Sequence, residues 1–547
     1  MHLILLIACL FVFLVCYTTY RHFTRISVAD VPGPEPSSWL LGNMPQLFGG
    51  QVGEAEFKWQ EIYGGVVRIR ASFGEDRLLV TDPKALQYIY QTSGYRFHKQ
   101  SERIELTRLI GHRKVMLPGF SSGEAKALLP LFFSKAAQIG AKWKDIIGVT
   151  AEQSAVLNIT AWASRATLDA IGEAAFDYRF GAMENVDNIV GTAYSNVFMD
   201  TFGSPSDASL LALSMLQYVP RCVREFLVDH VPSQGLEHIR YTAQVTTTVA
   251  RELVASKSAA LLQGKGSRDI MSLLVKANAS ENEKTKLNED ELLSQMRTII
   301  MAGHETTANS FSWAILELAR QPKIQSRLRS EIRSMERMIH ARGSYEFSTS
   351  DIESMPYLLA VVKEVLRFHP VSFNNFRQSA TDDVLPLFRP ITLRSGEVIT
   401  ELPVPKGMKV IISIAAYNRN KDVFGHDAHV FNPNVGSTAR CANRKLLLAP
   451  TLICKPIPRS YSILSLTTRA RLTFAGGLRT CIGWRFAVLE LQAFLIELLS
   501  EFEFSLTPEA TRIRREACIV MVPTVEGQRE KGTQLPLRVS IASRDED

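Results

Sequence analysis

The run Phe474-Ala-Gly-Gly477-Leu-Arg479-Thr-Cys481-Ile-Gly483 decides the fold of this 547-residue chain. It is a glycine-rich loop that brings one cysteine to the start of a predicted helix. A cysteine stays ionised when backbone N–H groups and a helix N-terminus face its sulfur, and Gly477 and Gly483 allow close approach to a flat cofactor. The loop therefore suits a thiolate ligand to haem iron, which favours O–O cleavage. The alternative, a buried cysteine in a glycine-rich turn, requires neither Phe474 nor Arg479 at fixed offsets.

A second run, Ala302-Gly303-His304-Glu305-Thr306-Thr307, lies in the middle of a segment from Glu289 to Arg320 whose pattern predicts one helix. Glycine, a carboxylate and adjacent threonines are poor choices inside a long helix, and glycine alone costs about 1 kcal/mol against alanine. Residues that break a local rule are candidates for function. Here Gly303 would let the backbone open, and Glu305 beside Thr306 would relay protons. The alternative is a kink that threonine back-bonding satisfies.

A third run, from Tyr357 to Pro370, places Glu364 and Arg367 three residues apart on one face of a predicted helix. Such a pair usually lies on the surface and contributes a few tenths of a kcal/mol. This helix is apolar around the pair and ends at a proline, which cannot continue it. The sequence therefore favours a buried ion pair, with the surface contact as the alternative.

These three runs, in this order, resemble the motifs of the cytochrome P-450 superfamily over nearly the whole chain. The cysteine loop matches the family's haem signature, F-x-x-G-x-R-x-C-x-G, at every fixed position. The resemblance implies haem b as the cofactor, with Cys481 as the axial thiolate ligand, Arg479 on a haem propionate and Phe474 beside the sulfur. The second run is similar to the family's oxygen-activation motif, (A/G)-G-x-(D/E)-T-(T/S). This similarity implies that Glu305 and Thr306 form the catalytic acid–alcohol pair.

The same resemblance implies further roles for charged residues. Glu364 and Arg367 resemble the family's E-x-x-R motif, a scaffold element beneath the haem. Arg377 lies where the family commonly has a second propionate-binding arginine. Arg113 and Lys114 lie in a run that resembles a helix with basic propionate contacts, and the alternative for both is a solvated surface.

The chain departs from the family pattern after the third run. The family usually completes E-x-x-R with an arginine in F-x-P-x-R, whereas this chain has Phe431-Asn-Pro433-Asn-Val435. Residues 435–470 then form an atypical segment, either an inserted loop or translated intron at a mispredicted exon boundary. The segment before His112 is also shorter than the family pattern. The alternative to an active enzyme is therefore a non-catalytic or haem-deficient product of a degraded or mispredicted gene.

The N-terminus predicts a membrane anchor. Residues 1–20 are almost uninterruptedly apolar, and at about 1.5 Å per residue they would cross most of a hydrocarbon core of about 30 Å. No basic region precedes the stretch, so it reads as a transmembrane signal anchor rather than a cleaved signal peptide. Arg21 and Arg25 follow it, which places the rest of the chain in the cytosol. The expected location is the endoplasmic reticulum membrane, with membrane lipid as a partner. Residues 21–43 form a linker and proline-rich hinge, and residues 44–547 the haem-thiolate monooxygenase domain.

Composition argues against several kinds of partner, metal site and covalent cross-link. The net charge of +7 is modest and dispersed, so nucleic acid is not an expected partner. The 7 cysteines are scattered without a C-x-x-C pair, which argues against a zinc site, an iron–sulfur site and a disulfide framework.

The predicted fold class is mainly α with a smaller β-rich lobe, which is the cytochrome P-450 fold that the motifs imply. Helical periodicity dominates from about Glu124 to Tyr345, and short strands are predicted near the start and after Pro370. Paired strands are expected over Val66–Ala71 and Arg77–Val80. Asp82 is then expected to cap a short helix.

The implied reaction inserts one atom of dioxygen into a lipophilic small molecule. The texture resembles fungal microsomal members, which implies secondary metabolism of a terpenoid or similar compound, with candidate pocket segments at Phe198–Leu213 and Val371–Phe376. No flavin or dinucleotide motif occurs, so electrons are expected from a separate NADPH-cytochrome reductase. A rival is an isomerase or peroxide-using enzyme, against which the acid–alcohol pair argues. One basic helix is either a solvated face or a docking surface for the reductase, and its cations are Lys323, Arg327, Arg329, Arg333 and Arg337.

Overall fold

The computed structural model describes residues 26–100, 116–185, 187–203, 205–216, 218–263, 269–279, 289–436 and 472–544. The predicted anchor at residues 1–20, the basic pair Arg113 and Lys114, and nearly all of the atypical segment lie outside these ranges. Within these ranges no helix combines the length and the apolarity that crossing a bilayer requires.

Helices form most of the described chain and give it its main body. In chain order they are α1 (Met44–Gly49), α2 (Glu54–Tyr63), α3 (Pro83–Gln87), α4 (Ser122–Ala127), α5 (Leu129–Gly148), α6 (Ile159–Phe176), α7 (Ile189–Tyr194), α8 (Val197–Phe202), α9 (Asp207–Leu216), α10 (Arg221–His230), α11 (Gln234–Leu262), α12 (Ile270–Ala279), α13 (Glu289–Arg320), α14 (Pro322–Ala341), α15 (Thr349–Glu353), α16 (Pro356–Phe368), α17 (Ile414–Tyr417), α18 (Lys421–Phe424) and α19 (Trp484–Glu501).

Strands form smaller sheets beside the helical body, so the predicted fold class is confirmed. They are β1 (Val66–Arg70), β2 (Asp76–Val80), β3 (Phe97–Lys99), β4 (Ser154–Asn158), β5 (Asn374–Ser379), β6 (Asp383–Thr392), β7 (Val398–Val404), β8 (Lys409–Ser413), β9 (Phe502–Leu506), β10 (Ile513–Ala517), β11 (Met521–Val525) and β12 (Pro536–Ile541). One sheet has the order β1-β2-β8-β5-β3, in which β2 and β8 run parallel and the other pairs antiparallel. A second has the order β4-β12-β9, and β6–β7 and β10–β11 are hairpins.

The first sheet confirms the strands predicted near the start of the chain. β1 and β2 form an antiparallel hairpin in which Val66 pairs with Val80. The helix that follows begins where Asp82 was expected to cap it: the Asp82 carboxylate accepts hydrogen bonds from the backbone N–H groups of Lys84 and Ala85, at 3.0 and 2.9 Å. These bonds satisfy two of the N–H groups that a helix start leaves unpaired.

The long helix α13 forms the axis of the core and has the bounds that the sequence predicts. Its 32 residues span about 48 Å, so it runs through the whole domain. It packs closely along α6, and a Cβ atom added to Gly303 would lie 2.6 Å from Ile171 Cγ1. Gly303 therefore permits a close approach between α13 and α6, a role that the run of residues around it does not reveal.

One strand interrupts the segment predicted as mostly helical. β4, between α5 and α6, pairs antiparallel with β12 near the C-terminus, with Leu157 opposite Leu537. Sequence periodicity cannot show this pairing, because its partner lies several hundred residues away and the strand has only 5 residues. The segment is mostly helical, as predicted, and β4 is the strand that the prediction did not include.

The basic helix, α14, uses part of its positive charge within the fold. Arg329 donates to the carbonyl oxygens of Leu499 and Phe502, and Arg333 donates to that of Ser500. These carbonyls lie at the end of α19, where a helix leaves C=O groups without internal partners and favours positive charge. Two of the five cations therefore fasten α14 to α19, whereas Lys323, Arg327 and Arg337 are exposed.

Glu490 on α19 gives a testable dependence of stability on pH. Its side chain is fully buried, and burial raises its pKa well above the usual range. The nearby Thr307 hydroxyl offsets this shift only in part, because its single proton is donated to the carbonyl oxygen of Gly303. Folding then requires proton uptake above the unfolded-state pKa, so stability falls with rising pH by about 1.4 kcal/mol per unit until the folded-state pKa is reached.

We expect Glu490→Gln to remove this dependence. The unfolding temperature of the variant, relative to that of the native chain, should rise steadily between pH 5 and pH 8 in a thermal scan at constant rate. The exposed Glu503→Gln is the control and should leave the relative unfolding temperature unchanged over the same range. Parallel curves for Glu490→Gln and the native chain would show that Glu490 is ionised in the folded state.

Candidate active site

The cysteine loop is fixed by its own backbone and by a close contact with the turn at Tyr88–Thr92. The N–H of Cys481 donates to the carbonyl oxygen of Phe474 at 2.8 Å, which closes the loop. Gly477 has φ +61°, and a Cβ atom there would lie 1.7 Å from the carbonyl oxygen of Tyr90. Only glycine fits this position, and the neighbouring protein backbone alone is sufficient to require it.

The loop places Cys481 just ahead of a helix, as the sequence predicts. Gly483 is the N-cap residue of α19, whose first helical residue is Trp484, and the Cys481 side chain is exposed. The positive end of the helix dipole and its unpaired N–H groups therefore lie beside the sulfur-bearing segment. An accessible cysteine in this position is suited to hold a metal as the thiolate.

Three cations gather around the same loop. Lys99 on β3 and Arg377 on β5 are directly opposite each other in the antiparallel register, and Arg479 of the loop lies close enough to affect both. Burial and then the repulsion of Arg377 and Arg479 lower the pKa of Lys99 to about 8. Burial likewise lowers the pKa of Arg377. We call Lys99, Arg377 and Arg479 the cation triad.

The cation triad has the properties of an anion site. Like charges directly opposite on paired strands destabilise a sheet, and no ion pair joins the triad to a carboxylate among the described residues. The Nη1 group of Arg479 is buried without a hydrogen-bond partner among those residues. A buried guanidinium group of this kind is costly unless it is paired. The donor set therefore fits a dianionic group such as the two propionates of haem.

Sequence reasoning missed Lys99 and Tyr90. Lys99 becomes a candidate only when the β3–β5 register brings it opposite Arg377, a contact across nearly 280 residues. Tyr90 is buried, its hydroxyl accepts a hydrogen bond from Asn375, and its ring lies 5.7 Å from the Arg377 guanidinium carbon. A local pattern carries no signal for either residue. Arg113, the other predicted propionate contact, lies outside the described residues.

The acid–alcohol pair lies in the middle of α13. Glu305 is nearly buried, and its carboxylate accepts hydrogen bonds from Ser164 on α6 at 3.4 Å and from Asn309 at 3.1 Å. The Thr306 hydroxyl donates to the carbonyl oxygen of Ala302 at 2.7 Å. Thr306 therefore has its only proton engaged within the helix and offers lone pairs to its surroundings.

Thr307 shows the same back-bonding, to the carbonyl of Gly303. Such bonds were the structural alternative to a functional reading of this run, and both threonines make them. The helix nevertheless continues without interruption from Glu289 to Arg320. Back-bonding thus coexists with an unbroken helix, and it does not account for the carboxylate of Glu305.

The predicted ion pair of α16 is buried and fully hydrogen-bonded. Arg367 makes two parallel bonds to Glu364, at 2.8 and 2.7 Å, and both side chains are almost inaccessible to solvent. The other N–H groups of Arg367 donate to the backbone carbonyl oxygens of Asn418, Ala428 and Val430. All five N–H donors of the guanidinium group are therefore satisfied.

The Glu364–Arg367 pair is satisfied without the arginine that the chain lacks after Pro433. Glu364 accepts a further hydrogen bond, at 2.7 Å, from the backbone N–H of Asn432. The segment from Asn418 to Asn432 thus surrounds the pair with main-chain groups. We call the Glu364–Arg367 pair and these main-chain groups the carbonyl cradle. The missing arginine does not leave a buried charge without a partner.

Parts of the two candidate pocket segments contact the turn between β10 and β11, which lies near Glu305. Met199 on α8 lies 3.7 Å, sulfur to sulfur, from Cys518 in the turn between β10 and β11. Burial raises the pKa of the Cys518 thiol, and Glu305 lies near enough to raise it further. The carbonyl of Val371 accepts a hydrogen bond from the N–H of Met521. α8, the β10–β11 turn and the chain after α16 therefore converge near the acid–alcohol pair.

The fold and this site define a helix-rich enzyme built to hold haem iron by a cysteine thiolate. The chain belongs to the cytochrome P450 family, whose model matches residues 32–528. It is thus an oxidoreductase that incorporates oxygen, a haem-thiolate protein with a cysteine axial ligand to haem b, and an enzyme that takes electrons from a redox partner.

Similar proteins occur in fungi. The chain is 31% identical to cytochrome P450 monooxygenase 91 of Postia placenta, over 89% of this chain and 90% of that protein. It is 29% identical to cytochrome P450 monooxygenase claQ of Ampulloclitocybe clavipes, over 88% and 87%. It is also 29% identical to ganoderic acid synthetase of Ganoderma lucidum, over 89% and 90%.

Proposed function

We propose that the enzyme inserts one oxygen atom from dioxygen into a lipophilic small molecule of fungal secondary metabolism, a terpenoid or a similar compound. Electrons come from a separate NADPH-cytochrome reductase. The observation that carries the proposal is that one loop presents Cys481 and also completes the cation triad through Arg479, whose Nη1 group is buried without a hydrogen-bond partner among the described residues. The relative that is named for ganoderic acid synthesis supports a role in secondary metabolism.

The residues of the site have separate proposed roles in cofactor binding and proton transfer. Cys481 would hold the haem iron through its thiolate, and the cation triad would bind the two propionates. Phe474, partly buried against the core, packs behind the loop. The chemistry that a thiolate-ligated haem supplies when bound is cleavage of the O–O bond. Glu305 and Thr306 move protons toward the side of α13 on which Thr306 is partly exposed.

A turnover experiment tests this function. Microsomes that contain the full chain and a fungal NADPH-cytochrome reductase would be incubated with NADPH, labelled dioxygen and a panel of terpenoids. One labelled oxygen atom in a product, formed only when NADPH is present, supports the proposal. Products formed with peroxide alone, or rearranged products without labelled oxygen, would instead identify a peroxide-using enzyme or an isomerase.

Lys99→Met is expected to weaken haem retention. A charge-assisted hydrogen bond contributes roughly 1.5–3 kcal/mol, so loss of one propionate contact should accelerate haem transfer to apomyoglobin about tenfold or more. In the haem-free protein the effect should be opposite, because the substitution removes repulsion from Arg377 and Arg479. Lys84→Met, at an exposed lysine of the same lobe, is the control. Equal haem-transfer rates for Lys99→Met and Lys84→Met would show that Lys99 makes no contact with the cofactor.

We also propose that the enzyme resides on the endoplasmic reticulum membrane, with its catalytic domain in the cytosol. Support comes from the apolar sequence at residues 1–20 and from exposed apolar side chains near residue 26. Trp39 is 93% exposed and Tyr218 is 70% exposed. Phe73 contacts Tyr218 edge to face, and its N–H donates to the carbonyl of Leu40. Large apolar surfaces of this kind mark contact with a partner or a membrane.

Trp39 provides a test of this location. In vesicles that contain the full chain and brominated lipids, we expect quenching of tryptophan fluorescence that Trp39→Phe largely removes. Trp313→Phe is the control, because Trp313 is buried in the core and should not be quenched by lipid. Quenching that is equal in the native chain and in Trp39→Phe would contradict contact between this surface and lipid.

A further inference from the structure

His304, the neighbour of Glu305 on α13, is fully buried and its ring is fixed on both sides. Its Nδ1 atom lies 2.8 Å from the carbonyl oxygen of Ile300, one turn earlier in the helix. Its Nε2 atom lies 3.3 Å from Oε1 of Glu305, within ion-pair distance though without the alignment of a hydrogen bond. The ring of Tyr194 packs edge to face against it at 5.2 Å.

These distances determine where the protons are. A backbone carbonyl oxygen only accepts, so Nδ1 of His304 must carry hydrogen. In neutral histidine, Nε2 then has no hydrogen and presents a lone pair to Oε1. If Glu305 were ionised as well, the buried lone pair of Nε2 would lack a donor and would face a negatively charged oxygen, which costs free energy. One proton between Nε2 and Oε1 removes this conflict.

Among the residues that the structure describes, no other group donates a hydrogen bond to Nε2 of His304. On α6, Ser164 already donates to Glu305 and Thr167 donates to the carbonyl of His304. On α7, burial raises the pKa of Tyr194 to about 12, so its hydroxyl stays neutral, and Thr246 donates to it. The other ionisable groups nearby are Arg297, on α13 itself, and Cys518, in the β10–β11 turn. Neither forms a hydrogen bond with the His304–Glu305 pair.

We propose that His304 and Glu305 hold one shared proton at neutral pH, and that His304 is a positioning residue that keeps Glu305 loaded for proton delivery. The proposal rests on the proposed function. In the step, the shared proton moves to Oε1 of Glu305, and the Glu305 carboxyl then passes it to the lone pairs of Thr306, directly or through water, which leaves His304 neutral and Glu305 ionised. Uptake of one proton from solvent water then restores the pair, so the proton count balances.

The hydrogen bonding of Thr306 explains why a neighbouring proton donor is needed. Its hydroxyl proton is engaged by the carbonyl of Ala302, so it can receive a proton but is poorly placed to provide one. The only carboxylate adjacent to it in the helix is Glu305, which accepts hydrogen bonds from Ser164 and Asn309 and is thereby held as an acceptor. The imidazole of His304 is the described group beside Glu305 that can supply a proton.

Infrared spectroscopy of the resting enzyme at pH 7, without turnover, tests the shared proton. Isotope-labelled histidine and the Glu305→Gln difference spectrum would assign the signals. We expect the native enzyme to show one such signal, either a protonated Glu305 carboxyl or an imidazolium at His304. Both Glu305→Gln and His304→Gln should abolish it, because in each the amide donates a hydrogen bond across the contact and the extra proton is no longer required.

A second variant of His304 tests whether loss of the infrared signal reflects misfolding rather than loss of the contact. His304→Asn can keep the hydrogen bond to the Ile300 carbonyl but has no atom near Glu305, and it should also lose the signal. His369 forms another buried histidine–glutamate contact, 2.9 Å from Glu317, so His369→Gln is a matched control that should retain it. Burial lowers the pKa of His369 to about 4, which makes that histidine neutral.

Two infrared results would overturn the proposal. The signal is absent from the native enzyme, or a Glu305 carboxyl signal persists in both His304 variants. In turnover, product formed per NADPH should fall about tenfold in His304→Gln, less than the hundredfold or more attributed to a whole positioned acid, while the carbon-monoxide spectrum stays native. An absent carbon-monoxide band in the native chain would instead refute the proposed function, since the infrared result does not depend on it.

Discussion

Replacing Cys481 with alanine is expected to abolish the red-shifted Soret band of the reduced carbon-monoxide complex. The band requires a thiolate on the iron, and the loop from Phe474 to Gly483 presents no second cysteine. The expected loss of monooxygenase activity is complete. The measurement is the difference spectrum of dithionite-reduced membranes that contain the full chain, with and without carbon monoxide.

Two cysteines provide controls for this loss. Cys222 is exposed on α10, and Cys518 lies in the β10–β11 turn near Met199. Alanine at either position should leave the position of the band unchanged. A native chain without any red-shifted band would mean that the polypeptide as written does not build the site. The gene model across residues 435–470 would then need correction, and sequencing of the transcript would show whether these codons survive splicing.

The second large effect is expected at Glu364. Alanine at this position would leave Arg367 charged, buried and without its carboxylate partner, which costs about 3–5 kcal/mol. Because domains are stable by only about 5–15 kcal/mol, much of the folded population should be lost at physiological temperature. The midpoint of urea unfolding and the yield of haem-containing protein measure the effect.

Two further variants define the cause. Glu152→Ala breaks an exposed pair with Arg538 and should leave the unfolding midpoint nearly unchanged. A double replacement of Glu364 and Arg367 by methionine often restores stability at buried ion pairs elsewhere. Here it should not, because the carbonyl groups of Asn418, Ala428 and Val430 would lose their donor. Full recovery in the double variant would show that the carbonyl cradle contributes little.

Local patterns predicted the parts of the fold that depend on local physics. α13 has the predicted bounds because a sustained apolar period and a final Arg320 mark its length. The β1–β2 hairpin and the Asp82 cap likewise follow from short-range turn and capping chemistry. β4 was missed because its stability comes from pairing with β12, which no local window contains.

The candidate site likewise combines residues that local sequence reveals with residues whose role depends on contacts between distant segments. Cys481, Arg479, Glu305 and Thr306 could be named from the motifs and from what their resemblance to the family pattern implies. Lys99 could not, since its role arises when two strands align it with Arg377. The use of Arg329 and Arg333 to hold the end of α19 also depends on how helices pack. The sequence shows that His304 precedes Glu305, but it does not show that Nδ1 contacts the Ile300 carbonyl while Nε2 faces Glu305.

The carbonyl cradle has a consequence for how this enzyme can vary over time. Every amino acid carries a main-chain carbonyl, so substitutions at Asn418, Ala428 or Val430 would leave the acceptors of Arg367 in place. What the cradle requires is the number of residues between these positions. We infer that drift in the identity of this loop is tolerated, whereas a one-residue insertion or deletion would misplace the acceptors. A motif search by letters therefore overlooks a feature that the length of the loop encodes.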